Sequence, residues 1–137
     1  MIQIKCLVSA PVEKVFRFWT FPEEIKRWWI LDGYSTDIVE IDLRVDGKFR
    51  IGMKSGEGSI SYVSGNFIEV NPAKKLIFTW TSEEVADLIK DTLLTVEFEE
   101  RGGQTEITLK HEFLRPELQD GYRKGWSSIL QKLKNLA

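Results

Sequence analysis

The 137-residue chain carries 19 basic and 21 acidic residues, dispersed along its length for a formal net charge of −2, which leaves no concentrated positive field for nucleic acid or an anionic membrane surface. A chain of this length fits one domain, residues 1–137, with a core large enough to stand without staples, and its single cysteine, Cys6, excludes an intramolecular disulfide. The excess is aromatic, with five Trp, eight Phe and three Tyr, enough to wall a ligand pocket or to fill an ordinary core.

The N-terminal stretch MIQIKCLVSAPVEK lacks the apolar core and cleavage site of a signal peptide, and no run approaches the roughly eighteen apolar residues of a membrane span. The cytoplasm is the expected compartment. Within that stretch Ile2, Ile4, Cys6 and Val8 alternate with Gln3, Lys5, Leu7 and Ser9, the period of a half-buried strand, with Cys6 on its inner face as a packing residue. Pro11 sits where helices start, and Val12, Val15, Phe16 and Trp19 follow at helical spacing. Thr20-Phe21-Pro22-Glu23 then predicts a second short helix through Ile25 to Trp28, with Thr20 as the capping-type residue. Trp28 and Trp29 are adjacent and must point in different directions, so one is expected to pack and the other to reach a cavity mouth.

After Asp32-Gly33-Tyr34 the pattern is that of strands. Residues 36–43 form one; Asp46-Gly47 predicts a turn into a strand with Phe49, Ile51 and Met53 on one face and Lys48, Arg50 and Lys54 on the other. Gly56-Glu57-Gly58 turns the chain again. The run Ser59 to Val70 is long, and Ser64-Gly65-Asn66 in its middle predicts a bulge or bend. Asn71-Pro72-Ala73-Lys74 turns into a strand with Leu76, Phe78 and Trp80 on one face. Residues 82–91 read as an irregular connection, with a short helical turn, that flanks the sheet as a flap. Leu94, Val96 and Phe98 define the next strand, Arg101-Gly102-Gly103 a hairpin turn, and Ile107, Leu109, His111 and Phe113 the inner face of the last strand. Leu118, Tyr122, Trp126, Ile129, Leu130, Leu133 and Leu136 recur at steps of three and four, which predicts a long one-sided helix from Leu118 to Ala137.

The order of elements is α+β: a curved antiparallel sheet of six or seven strands wrapped around the C-terminal helix, with two short helices after the first strand. With PVEKVFRFWT, FPEEIKRWW, VDGKFR, NPAKKLIFTW, GGQTEITLKHEF and GWSSILQKL in that order, the chain resembles the helix-grip superfamily that includes START lipid-transfer domains and birch-pollen-allergen-like proteins (SRPBCC). Within it the chain is similar to the branch named after the activator of the heat-shock protein 90 ATPase. The resemblance spans nearly the whole chain and implies a cavity between sheet and long helix that takes small apolar or aromatic molecules. It departs from the family pattern at Asp46, where relatives often carry a second glycine.

No nucleophile elbow, phosphate loop, dinucleotide fingerprint or zinc-spaced cluster is present, so neither a cofactor nor a metal is expected. His111 is the only histidine. It is read as a polar anchor or a hydrogen-bonded core residue, because Glu106 and Glu112 have the opposite strand parity and leave it without an inner-face carboxylate. The candidate ligand-binding residues are Trp29, Phe49, Ile51, Met53, Tyr62, Phe78, Trp80, Val96, Phe98, His111, Phe113, Tyr122, Trp126 and Ile129, of which about half must serve as plain core. The leading expectation is a non-enzymatic binding protein, monomeric or homodimeric, for a small apolar or aromatic molecule oriented by His111 and Tyr62. The alternatives are an interaction protein with a chaperone as partner, docking around Tyr34 and residues 82–91, and a cavity enzyme of the cyclase or hydrolase kind resting on His111.

Overall fold

A computed structural model describes residues 1–137. The period-two stretch at the N-terminus forms β1 (Ile2–Val8), followed by α1 (Val12–Thr20) and α2 (Pro22–Trp28). Six strands come next: β2 (Tyr34–Ile41), β3 (Lys48–Ser55), β4 (Ile60–Asn71), β5 (Lys75–Ser82), β6 (Thr92–Arg101) and β7 (Gln104–Glu112). The chain closes on α3 (Pro116–Leu136). All seven strands join one antiparallel sheet in the order β1-β7-β6-β5-β4-β3-β2. β1 and β2, neighbours in sequence, therefore lie on opposite edges, and α1 with α2 carries the chain between them. The remaining strands follow as an antiparallel meander, with the longer 83–91 connection between β5 and β6, until β7 pairs with β1.

The inner face follows the alternation read from sequence. Ile51 and Val63 face each other across β3 and β4, as do Phe98 and Ile107 across β6 and β7, and all four are buried. Against this face the second half of α3 packs Trp126, Ile129, Leu130 and Leu133, while its first half has no buried residue and keeps only Leu118, Gln119, Tyr122 and Gly125 partly covered. The helix is thus anchored at its C-terminal end and stands off the sheet at its N-terminal end. Cys6 is half-buried against the core and burial raises its thiol pKa, in keeping with a packing role.

Four local expectations are corrected. Thr20 does not cap α2: it ends α1 and donates its hydroxyl back to the Phe16 carbonyl at 2.9 Å, so α2 begins at Phe21-Pro22 without a side-chain cap. The register shift in β4 falls between Phe67 and Glu69, not at Gly65. Gly65 answers a different demand, because a Cβ there would lie 1.9 Å from the Thr79 carbonyl oxygen. Phe113 is not on the inner face. The strand ends at Glu112, Phe113 takes a left-handed backbone conformation (φ 70°) and is 75% exposed, and Leu114 fills the buried place instead.

The fourth correction concerns Tyr62. It pairs with Gly52, and both lie on the face opposite Ile51, Met53 and Val63. Its ring lies beneath the Arg50 guanidinium, 3.6 Å from centroid to charge centre, and occupies the space that a side chain at Gly52 would need.

Candidate functional site

Where α3 stands off the sheet, a cavity of about 480 Å³ opens between the inner faces of β3, β4 and β5, the corner from α2 to β2, and the first half of the helix. Six of the residues expected to bind a ligand form its wall: Trp29, Met53, Trp80, Tyr122, Trp126 and Ile129. Tyr62 borders it, with its ring on the other face of the sheet. Of the adjacent tryptophans, Trp28 is buried and donates its indole N–H to the Phe18 carbonyl at 2.9 Å, whereas Trp29 turns to the cavity. Trp29 stacks on Trp80 at 5.7 Å and meets Trp126 edge-on at 5.3 Å.

The other expected residues lie elsewhere. Phe49 and Phe78 meet edge-on at 5.3 Å in a core cluster with Phe67, and Ile51 shares that region. Val96 is fully buried, and Phe98 packs edge-on against Phe16 and Trp19. Phe113 faces solvent.

His111 sits directly behind the wall with no exposed surface. The Thr92 hydroxyl donates to the Trp80 carbonyl at 2.8 Å, so it has no proton left for the imidazole 2.8 Å away. His111 Nε2 must therefore be the protonated nitrogen, donating to Thr92, while Nδ1 accepts the Trp126 indole N–H at 3.1 Å. Both ring nitrogens are engaged, and burial pushes the imidazole pKa down to about 4. The ring is a neutral structural link with no nitrogen free for a molecule in the cavity, which corrects the expectation that His111 orients a ligand.

The phenol that lines the cavity on its inner side is Tyr122. Tyr122 accepts the Trp80 indole N–H at 3.2 Å and retains its own hydroxyl proton for donation. Burial raises its pKa, so it stays a donor at neutral pH. Glu84 and Glu117 stand at the mouth, and none of the seventeen lining residues is Lys, Arg or His. Glu84 is fixed by accepting the Tyr62 backbone N–H at 2.9 Å, and neighbouring Glu83 forms a two-point ion pair with Arg50. The 82–91 connection, which contains a 3-10 turn at Glu83–Val85, is thereby clasped to β3 and β4 beside the opening.

Sequence reasoning missed Leu31, Tyr34, Ser61, Val63, Ser82, Leu118, Gly121 and Gly125 as lining residues, together with the two acids. The available signal was in the helix. Gly121 and Gly125 are one turn apart, each just before an aromatic residue of the apolar stripe, in an element where glycine is disfavoured. A Cβ at Gly121 would meet nothing within 4 Å and one at Gly125 only Leu31, so their missing side chains are part of the open space.

The family model described as Activator of Hsp90 ATPase homolog 1-like protein matches residues 9–137. No curated protein matches. Among solved structures, the chain is similar to a protein of Nitrosomonas europaea at 26% identity and TM-score 0.83, covering 98% of this chain and 92% of that one. A protein of Chromobacterium violaceum gives 21% identity and TM-score 0.88 with 98% and 95% covered, and one of Staphylococcus epidermidis 21% and 0.82 with 98% and 87% covered. The last two likenesses show a shared fold.

Proposed function

The chain belongs to the Activator of Hsp90 ATPase homolog 1-like family, and from that premise we propose that it binds a small apolar or aromatic molecule in the cavity between sheet and C-terminal helix. The observation that carries this reading is the aromatic enclosure itself: Trp29, Trp80, Tyr122 and Trp126 surround about 480 Å³ that two helix glycines leave open. That volume lies within the range of small-molecule sites. A helix that served only to close a core would gain stability from alanine at both positions.

Apolar burial at about 25 cal/mol per Å² drives association, with the Tyr122 hydroxyl as one of few polar contacts, so micromolar affinity and broad selectivity are expected. The two mouth carboxylates favour a neutral or basic molecule over an anionic one. The test is native mass spectrometry of freshly purified protein with organic extraction of what travels with it, followed by titration of the emptied protein with N-phenyl-1-naphthylamine. Saturable binding supports the reading; an empty spectrum together with no saturable binding sinks it.

A second reading is docking of a protein partner, a chaperone as the family's name suggests. Tyr34, Val85 and Leu88 are exposed, and Tyr34 and Glu84 border the same opening. Purified heat-shock protein 90 with no measurable affinity for the chain would remove it.

A further inference from the structure

Resting on the ligand-binding reading above, we infer that the cavity has a second, smaller compartment beside Trp29, where a ligand's terminal oxygen accepts a hydrogen bond from the Trp19 indole. A void of about 20 Å³ is bounded by nine apolar residues that include Trp19, Ile25, Phe49, Leu76 and Phe78. Trp29 lines both spaces and is the partition between them.

The indole of Trp19 makes this void more than a packing defect. Three other indoles are paired inside the protein: Trp28 with the Phe18 carbonyl, Trp80 with Tyr122 and Trp126 with His111. Trp19 is 4% exposed, and its Nε1 is the one buried side-chain nitrogen or oxygen without a partner. Buried donors are nearly always satisfied, and an orphan calls for an explanation. Water is a poor candidate: the void has room for about one molecule, but a buried water holds two to four polar partners and this lining is apolar. A carbonyl oxygen needs only one donor, and its carbon skeleton suits the apolar walls. The Trp29 ring, held by aromatic contacts at the end of α2, must shift from Trp19 to admit it; the two ring centroids are 6.0 Å apart.

The ligand class is therefore an apolar molecule with an uncharged ketone, aldehyde or amide oxygen at the end that enters first. The probe pair is 6-propionyl-2-(dimethylamino)naphthalene and its 6-propyl analogue, which differ only in the carbonyl. The wild type is expected to bind the carbonyl probe about tenfold more tightly, the gain of satisfying a buried donor. Saturation should move the Trp19 indole proton resonance downfield. Trp19→Phe should abolish the preference. Equal affinities in the wild type, a preference that survives Trp19→Phe, or a stationary Trp19 resonance at saturation overturns the compartment while the main cavity stands. Failure of both probes to bind overturns the compartment and the ligand-binding reading together. Should Trp19→Phe not fold, the wild-type resonance decides.

Discussion

Trp126 donates its indole N–H to Nδ1 of His111 across 3.1 Å, which joins a wall of the cavity to a buried imidazole in one hydrogen-bonded unit. Through Thr92 the same imidazole is tied to the Trp80 carbonyl on the neighbouring strand. Two aromatic walls are thus positioned by one uncharged ring.

That arrangement sets a pH dependence. The folded pKa of His111 is about 4, below its unfolded value of 6.5. Its contribution is therefore fully present above pH 6.5 and is lost as pH falls from 6.5 through 4, by about 3 kcal/mol in all. Urea unfolding at pH 7.5, 6, 5 and 4 should show the wild type losing stability faster than His111→Gln across this window. Parallel pH profiles for the two proteins would contradict the neutral link.

The two helix glycines give a second expectation. Gly121→Ala and Gly125→Ala should each raise stability by up to about 1 kcal/mol, since alanine favours the helix and neither Cβ meets a close neighbour. Gly125→Leu should project into the cavity and weaken N-phenyl-1-naphthylamine binding by about tenfold, the scale of a blocked apolar contact. Thermal unfolding and fluorescence titration read the two effects separately. A destabilised Gly121→Ala would show that the open space is not as drawn.

Charge at the opening gives a third. N-phenyl-1-naphthylamine should bind more tightly than the sulfonate 1-anilinonaphthalene-8-sulfonate, and the gap should narrow several-fold in the double variant Glu84→Gln, Glu117→Gln. Both acids are exposed, so the effect should also fade at high salt. A gap indifferent to both changes would assign the preference to shape.

Gly65 gives the fourth. Gly65→Ala drives a methyl group into the Thr79 backbone and should cost about 3 kcal/mol, the upper end of overpacking penalties. Gly56→Ala, whose Cβ meets nothing within 4 Å, is the matched control and should be near neutral. Equal unfolding midpoints for the two variants would refute the close approach.

The alternation in β1, β3, β5 and β7 and the stripe on α3 made the fold legible from sequence, because each element has one face in water and one in the core. Side-chain direction failed where the backbone left the regular period. Phe113 belongs by count to the inner face of β7, but the left-handed turn at that residue sends it outward. Tyr62 is expected among the inner-face residues, but its pairing with Gly52 puts it on the opposite face. The cavity itself was only half legible. Aromatic residues announce that they need covering, whereas Gly121 and Gly125 contribute by what they lack, and the mouth acids carry no periodic signature at all. Nor does composition reveal that both nitrogens of His111 are spoken for; that depends on Thr92 and Trp126 arriving from β6 and α3.

The placement of β1 has a consequence for how the protein acquires its shape. Ile2 pairs with His111, partners about a hundred residues apart in the chain, whereas β2 through β7 pair successive neighbours. During synthesis the first strand emerges from the ribosome long before β7 exists to receive it, and it must wait unpaired while the meander forms. Closing so long a loop is slow, and an apolar strand kept waiting is open to other edges. The lysines at positions 5 and 110, which flank this final seam on its outer face, put charge where a foreign strand would otherwise find a flat apolar edge.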